Sequence, residues 1–254
     1  MKLIINADDF GLTKGVNAAI VEAMNNGVVT STTLMVNQPG TADAIDLIHT
    51  HKLENIGLHV NLTLGKPVSK PEDIPSLVDG NGEFHSRKYL TDNADKIDAE
   101  HVYIEAMNQY LNAKSYGVDI DHFDSHHFAA FLPNLIDGFI KFANEVGLAS
   151  RRADYYIDDI QALDVITTDI FSAQFYGERA NIEGLKETIR ELKGSDNQTT
   201  IEIMTHPGYS DDELASLSSY TTQREHELSV LLSEEIKIWL QAHEIEFVNF
   251  KGIR

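Results

Sequence analysis

Short runs of apolar residues alternate with longer amphipathic stretches along most of this chain. Residues 3–7, 30–36, 55–64, 118–127, 148–153, 171–175, 199–205 and 245–250 are rich in aliphatic and β-branched side chains, and they predict strands. Between them, residues 14–26, 41–51, 100–116, 133–146, 181–192 and 224–243 predict helices. The last is the clearest, with Leu228, Leu231, Leu232, Ile236, Trp239 and Leu240 repeating at steps of three and four. Gly27, Gly117 and Gly147 stand where three of these helices should end. Residues 66–98 break the rhythm: Pro67, Pro71, Pro75, Gly80 and Gly82 in a largely polar stretch predict a long loop, suited to a lid. Residues 154–177 give no clear pattern beyond the short strand.

Strands that alternate with helices imply a parallel sheet covered by helices. No Pro-, Gly- or Ser-rich linker divides the chain and no fixed-period repeat runs through it. A single α/β domain over residues 1–254 is expected, a distorted TIM-like (β/α) barrel of about seven parallel strands, for which ~250 residues is typical. An open doubly wound sheet is the alternative, and periodicity does not separate the two.

Composition narrows the chemistry. The 254 residues include 11 histidines and no cysteine. That excludes a disulfide framework, a thiol nucleophile and a thiolate metal site, and leaves His, Asp, Glu or backbone oxygen to hold any metal. Forty acidic against 20 basic residues, a formal charge of −20, argue against nucleic acid or an anionic membrane as partner. No run approaches the ~20 apolar residues of a membrane span, and the opening apolar run is too short for a signal peptide. A cytoplasmic protein is expected. Barrel enzymes of this size often pair through helices, so a homodimer is compatible with the sequence, although no helix face identifies an interface.

The polar residues that matter stand where strands run out. Ile4-Ile5-Asn6-Ala7 leads into Asp8-Asp9-Phe10-Gly11, Ile56-Gly57-Leu58 into His59, Ile120-Asp121-His122-Phe123 into Asp124-Ser125-His126-His127, and Ile201-Glu202-Ile203-Met204 into Thr205-His206. In parallel α/β folds these carboxyl ends share one face, where sites form. Two imidazoles and a carboxylate can hold a divalent cation with positions left open for water and substrate. A further carboxylate can take a proton from that water and a further His can protonate a leaving group. Strand neighbours face opposite sides, so Asp124 shares a face with His126 and is placed to orient it. The same alternation separates Asp8 from Asp9 unless a turn begins between them.

In their order, Asn6-Ala7-Asp8-Asp9-Phe10-Gly11, Thr30-Ser31-Thr32-Thr33, Gly57-Leu58-His59, Asp124-Ser125-His126-His127, Arg152-Ala153-Asp154 and His206-Pro207-Gly208 resemble the YdjC-like family of carbohydrate deacetylases, whose best-known members act on chitooligosaccharides. The resemblance spans nearly the whole chain. It implies a distorted (β/α) barrel, a divalent metal described as Mg2+ with Zn2+ as the alternative, and removal of an acetyl group from a small N-acetylated sugar. It assigns Asp9, His59 and His126 to the metal, Asp8 to the general base and His206 to the general acid, with Arg152 and Asp154 in support. Phe128 and Ala130 stand where many members have further histidines, which bears on substrate choice or activity. Tyr89 and Phe84 of the long loop are candidates to stack on the sugar. A metal-dependent sugar isomerase or aldolase and a non-catalytic sugar or metal sensor are the competing readings of the same residues.

Overall fold

The structure is a computed structural model that describes residues 1–152, 162–193 and 198–253. Eight strands form one sheet: β1 (Lys2–Phe10), β2 (Ser31–Leu34), β3 (Ile56–Val60), β4 (Ile120–Ser125), β5 (Ala149–Ser150), β6 (Ile170–Ser172), β7 (Thr200–Thr205) and β8 (Glu246–Phe247). Every pairing between them is parallel. The order β5-β4-β3-β2-β1-β7-β6 is the chain order wrapped into a ring, with β8 added beside the start of β1. That order rules out the doubly wound alternative, whose strand sequence reverses at a switch point. Seven parallel strands curl into the distorted barrel. Its two edges meet through one bridge, Ser150 to Thr167, on the segment that enters β6.

Nine α-helices are described: α1 (Lys14–Asn26), α2 (Thr41–His51), α3 (Arg87–Asp92), α4 (Ala99–Ser115), α5 (Leu135–Val146), α6 (Ile182–Leu192), α7 (Asp212–Leu217), α8 (Thr222–Leu231) and α9 (Glu234–Ala242). Their starts follow local chemistry. Thr13 caps α1 through Val16 N, and Asn181 caps α6 through Gly184 N. The long helix expected at 224–243 is two helices, because Ser233 takes an extended conformation and Glu234 and Glu235 open a new first turn. The loop at 66–98 folds on itself through a Val78–Phe84 bridge and α3, and it buries Ile74, Leu77, Leu90 and Ile97. No helix among the described residues is long and apolar enough to cross a membrane.

Period-two alternation divides β1 between two environments. Leu3, Ile5 and Ala7 join the large core between sheet and helices, whereas Ile4 belongs to a small separate cluster with Phe250 and Ile253. Asn6 and Asp8 share the face of Ile4, so the barrel interior is plugged by apolar groups at one end and is polar above them. His122 lies in this interior, stacked on Phe250 at 3.8 Å and bonded to Asp121 Oδ1 at 2.5 Å. Gly57 faces it: a Cβ there would lie 2.5 Å from His122 Nε2 and 2.6 Å from Cε1. Gly57→Ala must displace a ring that is held on two sides, and it is expected to cost about 1–3 kcal/mol by overpacking. The readout is the urea midpoint; an unchanged midpoint would mean that the ring moves aside freely.

Candidate functional site

Asp8 and Asp9 reach the same cavity because the backbone turns between them. Asp9 has φ +71°, and the β1–β2 register slips between Ala7 and Phe10. Asp is one of the few residues that tolerates this left-handed region, since its short side chain can bond locally. The slip cancels the alternation that would have put the two carboxylates on opposite faces. A second irregularity ends β4 at Ser125, and His126 opens a tight turn in which His127 and Phe128 also have positive φ, 56° and 53°. Strand register therefore does not govern His127, whose ring packs 3.8 Å from that of His126 and whose Nδ1 meets Thr63 Oγ1 at 3.0 Å.

Three donor atoms converge at the carboxyl ends of β1, β3 and β4. Asp9 Oδ1 is 3.2 Å from His59 Nε2 and 2.9 Å from His126 Nδ1, and the two nitrogens are 3.3 Å apart. Ligands ~2.1 Å from a shared ion and roughly 90–110° apart lie ~3.0–3.4 Å from one another. The triangle has those dimensions, and the three buried residues form a group able to hold a metal ion. The electrostatics agree. Burial alone would lower the pKa of His59, but Asp124 and Asp9 beside it push it up to about 10. Burial opposes ionisation of Asp9, yet Arg224 and His126 hold it well below the usual carboxylate range. This corner of the barrel favours the ionised forms of both residues.

Asp124 does not orient His126 as the shared face suggested. Its Oδ1 takes the other ring nitrogen of His59, Nδ1, at 2.6 Å, and its Oδ2 accepts from Thr33 Oγ1 at 2.9 Å. The Asp124–His59 bond turns Nε2 towards Asp9, the arrangement by which a carboxylate fixes the orientation of a ligating imidazole. Strand register accounts for the partner, because His59 on β3 stands directly beside Asp124 on β4.

The arginine placed among the carboxylates is Arg151, which the sequence reading had not singled out. Arg151 is fully buried and spans three carboxylates: Asp8 through Nη1 and Nη2 at 2.8 and 2.7 Å, Asp124 through Nη1 at 3.1 Å, and Glu202 through Nε at 2.7 Å. Arg152, the next residue, is half-buried and does not line the cavity. Asp154 lies outside the described residues. Asn6 Nδ2 adds a bond to Asp8 Oδ1 at 2.8 Å. Burial raises the pKa of Asp8, but the charge and hydrogen bonds of Arg151 outweigh it and hold it at about 2. Glu202, with only one bond to the same arginine, is pushed up to about 7 by burial.

His206 follows β7 on the opposite wall. Its backbone N–H donates to Glu227 Oε2, and its ring stands edge-on to Tyr176 and Tyr220 at 5.6 and 5.9 Å. Burial pushes its pKa down to about 4, against the pull of Asp9 and Asp8, so the ring is neutral at pH 7. Asp8, Asp9, His59, His126 and His206 all line one cavity of about 330 Å³. Phe128 lines it too, whereas Ala130 is buried and gives its N–H to Ser125 Oγ. Neither Phe84 nor Tyr89 lines it. Phe84 is buried in the loop and Tyr89 stacks on His85; the loop's contribution to the wall is Arg87, tied to His127 O at 2.7 Å.

Sequence patterning missed Arg151, Glu202, Arg224, Glu227, Tyr176 and Tyr220. Glu202 carried a signal, being a charge inside the apolar alternation of β7. Arg224 and Glu227 carried a weaker one, two charges three apart on the face of α8 that also buries Leu228 and Leu231.

The fold and site define a curled parallel barrel with an Asp-His-His donor triangle at the carboxyl ends of its strands. The model of the YdjC-like protein family matches residues 2–242. The chain is 37% identical over 252 residues to a carbohydrate deacetylase of Thermoanaerobacter pseudethanolicus, covering 99% of each chain, and 36% identical to one of Brevibacillus brevis, covering 100% of each. A crystal structure from Enterococcus faecalis V583, described as that of a candidate cellobiose-phosphate cleavage protein, superposes with a TM-score of 0.91 at 32% identity, covering 99% of this chain and 98% of that one. This chain belongs to the YdjC-like family.

The depressed pKa of Asp8 has a sign that can be measured. Its folded value of about 2 lies below the ordinary 3.8, so the pairing stabilises the fold fully above pH ~4 and is lost as pH falls towards 2. Wild type should lose about 2 kcal/mol more than Asp8→Asn between pH 4 and pH 2. Parallel stability profiles in urea over that window would contradict the Arg151 pairing.

Proposed function

We propose that this chain is a divalent-metal-dependent carbohydrate N-deacetylase, hydrolysing the acetamide of a small N-acetylated sugar of chitooligosaccharide type to acetate and the free amine. The hydrolase class follows from its full-length relatives, which are named carbohydrate deacetylases. The observation that carries the reading is one cavity shared by the Asp9-His59-His126 triangle, an ionised carboxylate and a neutral imidazole. Asp9, His59 and His126 would hold the ion. With two imidazole nitrogens for one carboxylate oxygen, the donor set suits Zn2+ better than Mg2+, which prefers all-oxygen surroundings. When bound, such an ion lowers the pKa of water and polarises a carbonyl oxygen.

The residues of the chain divide the proton work. Asp8 is held ionised by Arg151 and accepts a proton at any working pH, but with a pKa of about 2 it is a weak base. It can serve only a water made acidic by its surroundings, which is why the donor triangle belongs to the same reading. His206 is neutral at rest and faces the cavity from the other wall, and developing negative charge on the acyl oxygen favours its protonated form. It would take that proton from solvent and deliver it to the departing nitrogen, while Asp8 returns to solvent the proton it took from water. Tyr176, 46% exposed and stacked on Tyr220 at 4.2 Å, presents a flat ring for a sugar face at the cavity rim, and Phe128 offers another. The weakness of Asp8 as a base counts against an isomerase or aldolase, which must abstract a carbon-bound proton.

Metal-loaded protein incubated with N,N′-diacetylchitobiose should release acetate. Asp8→Asn should lower that rate by about 10²–10⁴ with metal content retained, and a chelator should abolish it reversibly. No acetate from any of a panel of N-acetylated sugars, with any of Zn2+, Mg2+ or Co2+, would overturn the reading.

A further inference from the structure

Arg224, in the first turn of α8, is a second buried guanidinium at the site, and it is only partly used. It is 3% exposed. Nε donates to Tyr220 O at 2.8 Å and Nη2 to Asp9 Oδ2 at 2.7 Å, on the carboxylate whose other oxygen faces the two histidines. Two anchors fix the plane of the group. Its third nitrogen, Nη1, is buried and has no hydrogen-bond partner among the described residues, although the side chain lines the same cavity as Asp8, Asp9, His59 and His206. A buried donor of a charged group left unpaired is costly, and native structures rarely leave one without a use. Arg151 has no such spare nitrogen, since all three of its nitrogens bond carboxylates.

Resting on the deacetylase reading above, we propose that Arg224 is a catalytic residue whose Nη1 donates a hydrogen bond to the acyl oxygen of the substrate. The chemistry suits the position. Attack of water on an acetamide turns a neutral carbonyl oxygen into an anion. A fixed, permanently charged donor aimed where that charge develops stabilises the transition state more than the ground state. Arg224 needs no reorganisation to do this, because Asp9 and the Tyr220 carbonyl already hold it. The bond to Asp9 also ties the donor to the metal carboxylate, so the acyl oxygen would be gripped from two directions. Losing one such donor typically lowers kcat by about 10²–10³.

The alternative is that Arg224 only holds Asp9 in place, and the two roles separate on measurement. Arg224→Lys and Arg224→Met are to be compared with wild type in kcat and KM for N,N′-diacetylchitobiose, in Zn2+ affinity of the metal-free protein, and in calorimetric binding of acetate to the Zn2+-loaded protein. The proposal expects a kcat loss of about 10²–10³ that persists at saturating Zn2+, with KM changed less than kcat. It also expects weaker acetate binding and partial rescue of Arg224→Met by added guanidinium. Recovery of full kcat at saturating Zn2+ would overturn it in favour of a holding role, as would unchanged acetate binding. If wild type releases no acetate from any sugar yet binds acetate more tightly than both variants, the deacetylase reading fails while the contact of Arg224 with an acyl oxygen stands. Circular dichroism melts identify a variant that has not folded, and the lysine variant keeps the charge in place if the methionine variant does not fold.

Discussion

One buried guanidinium sets the geometry of the whole site. Arg151 lies among Asp8, Asp124 and Glu202 in the barrel interior, and each of these depends on it. Without its charge, Asp8 could not stay ionised beside two further carboxylates in a low-dielectric interior. With it, Asp8 stays an anion, and Asp124 is held between Nη1 of Arg151 and Nδ1 of His59. That second bond points Nε2 of His59 at Asp9. The position of Nε2 of His59 on β3 is therefore fixed from the end of β5, through a carboxylate on β4. Ion networks of this kind rarely stabilise a fold more than apolar packing would. Their presence here marks a barrel interior arranged for chemistry.

The fold makes room for this network by two departures from regular structure. A straight β1 would turn Asp9 into the apolar layer beneath the helices, where Leu3, Ile5 and Ala7 sit. The positive φ at Asp9 brings it back to the cavity, and Gly11, at φ +96°, completes the turn where a Cβ would lie 2.4 Å from Met35 O. The tight turn after β4 does the same for His127, which regular alternation would turn away from the face of Asp124 and which lines the cavity. Both departures fall where the sheet no longer has to be covered on two faces, so little packing is lost.

Most of the fold was legible in the sequence because barrel strands and their helices leave strong periodic signals. The helices at 14–26 and 41–51 fall at the expected residues, and the eight strands lie where the apolar runs are. What periodicity did not convey was the break at Ser233, since the apolar stripe runs on through it in register. At the site, strand ends and family motifs picked out Asp8, Asp9, His59, His126 and His206, and the structure brings these five to one cavity. Pairing was less legible. Asp124 meets His59 rather than His126, and Arg151 joins the carboxylates, because strand register across β3, β4 and β5 sets these partners and no pattern within one strand reveals its neighbour. Arg224 and Glu227 come from a helix far along the chain, and their burial is a tertiary fact with only a faint trace in sequence.

Asp8 and His206, the two groups proposed to handle protons, share a feature that bears on that proposal. Asp8 at about 2 and His206 at about 4 both lie below the range in which an unaided acid-base pair works near neutral pH. His59 is displaced the other way, to about 10. The pattern is that of an environment dominated by fixed charge around the Asp9-His59-His126 triangle and by burial at His206. At rest Asp8 is anionic and His206 neutral, so neither group carries the proton that the leaving nitrogen needs. Proton transfer in such a site must follow the charge that develops on the substrate rather than precede it. Negative charge near the donor triangle would lift His206 towards protonation, and a water of lowered pKa would give up its proton even to a carboxylate as weakly basic as Asp8. Arg151 holds Asp8 ionised and Arg224 holds Asp9, so the arrangement rests on two arginines that lie outside the motifs by which the family is recognised.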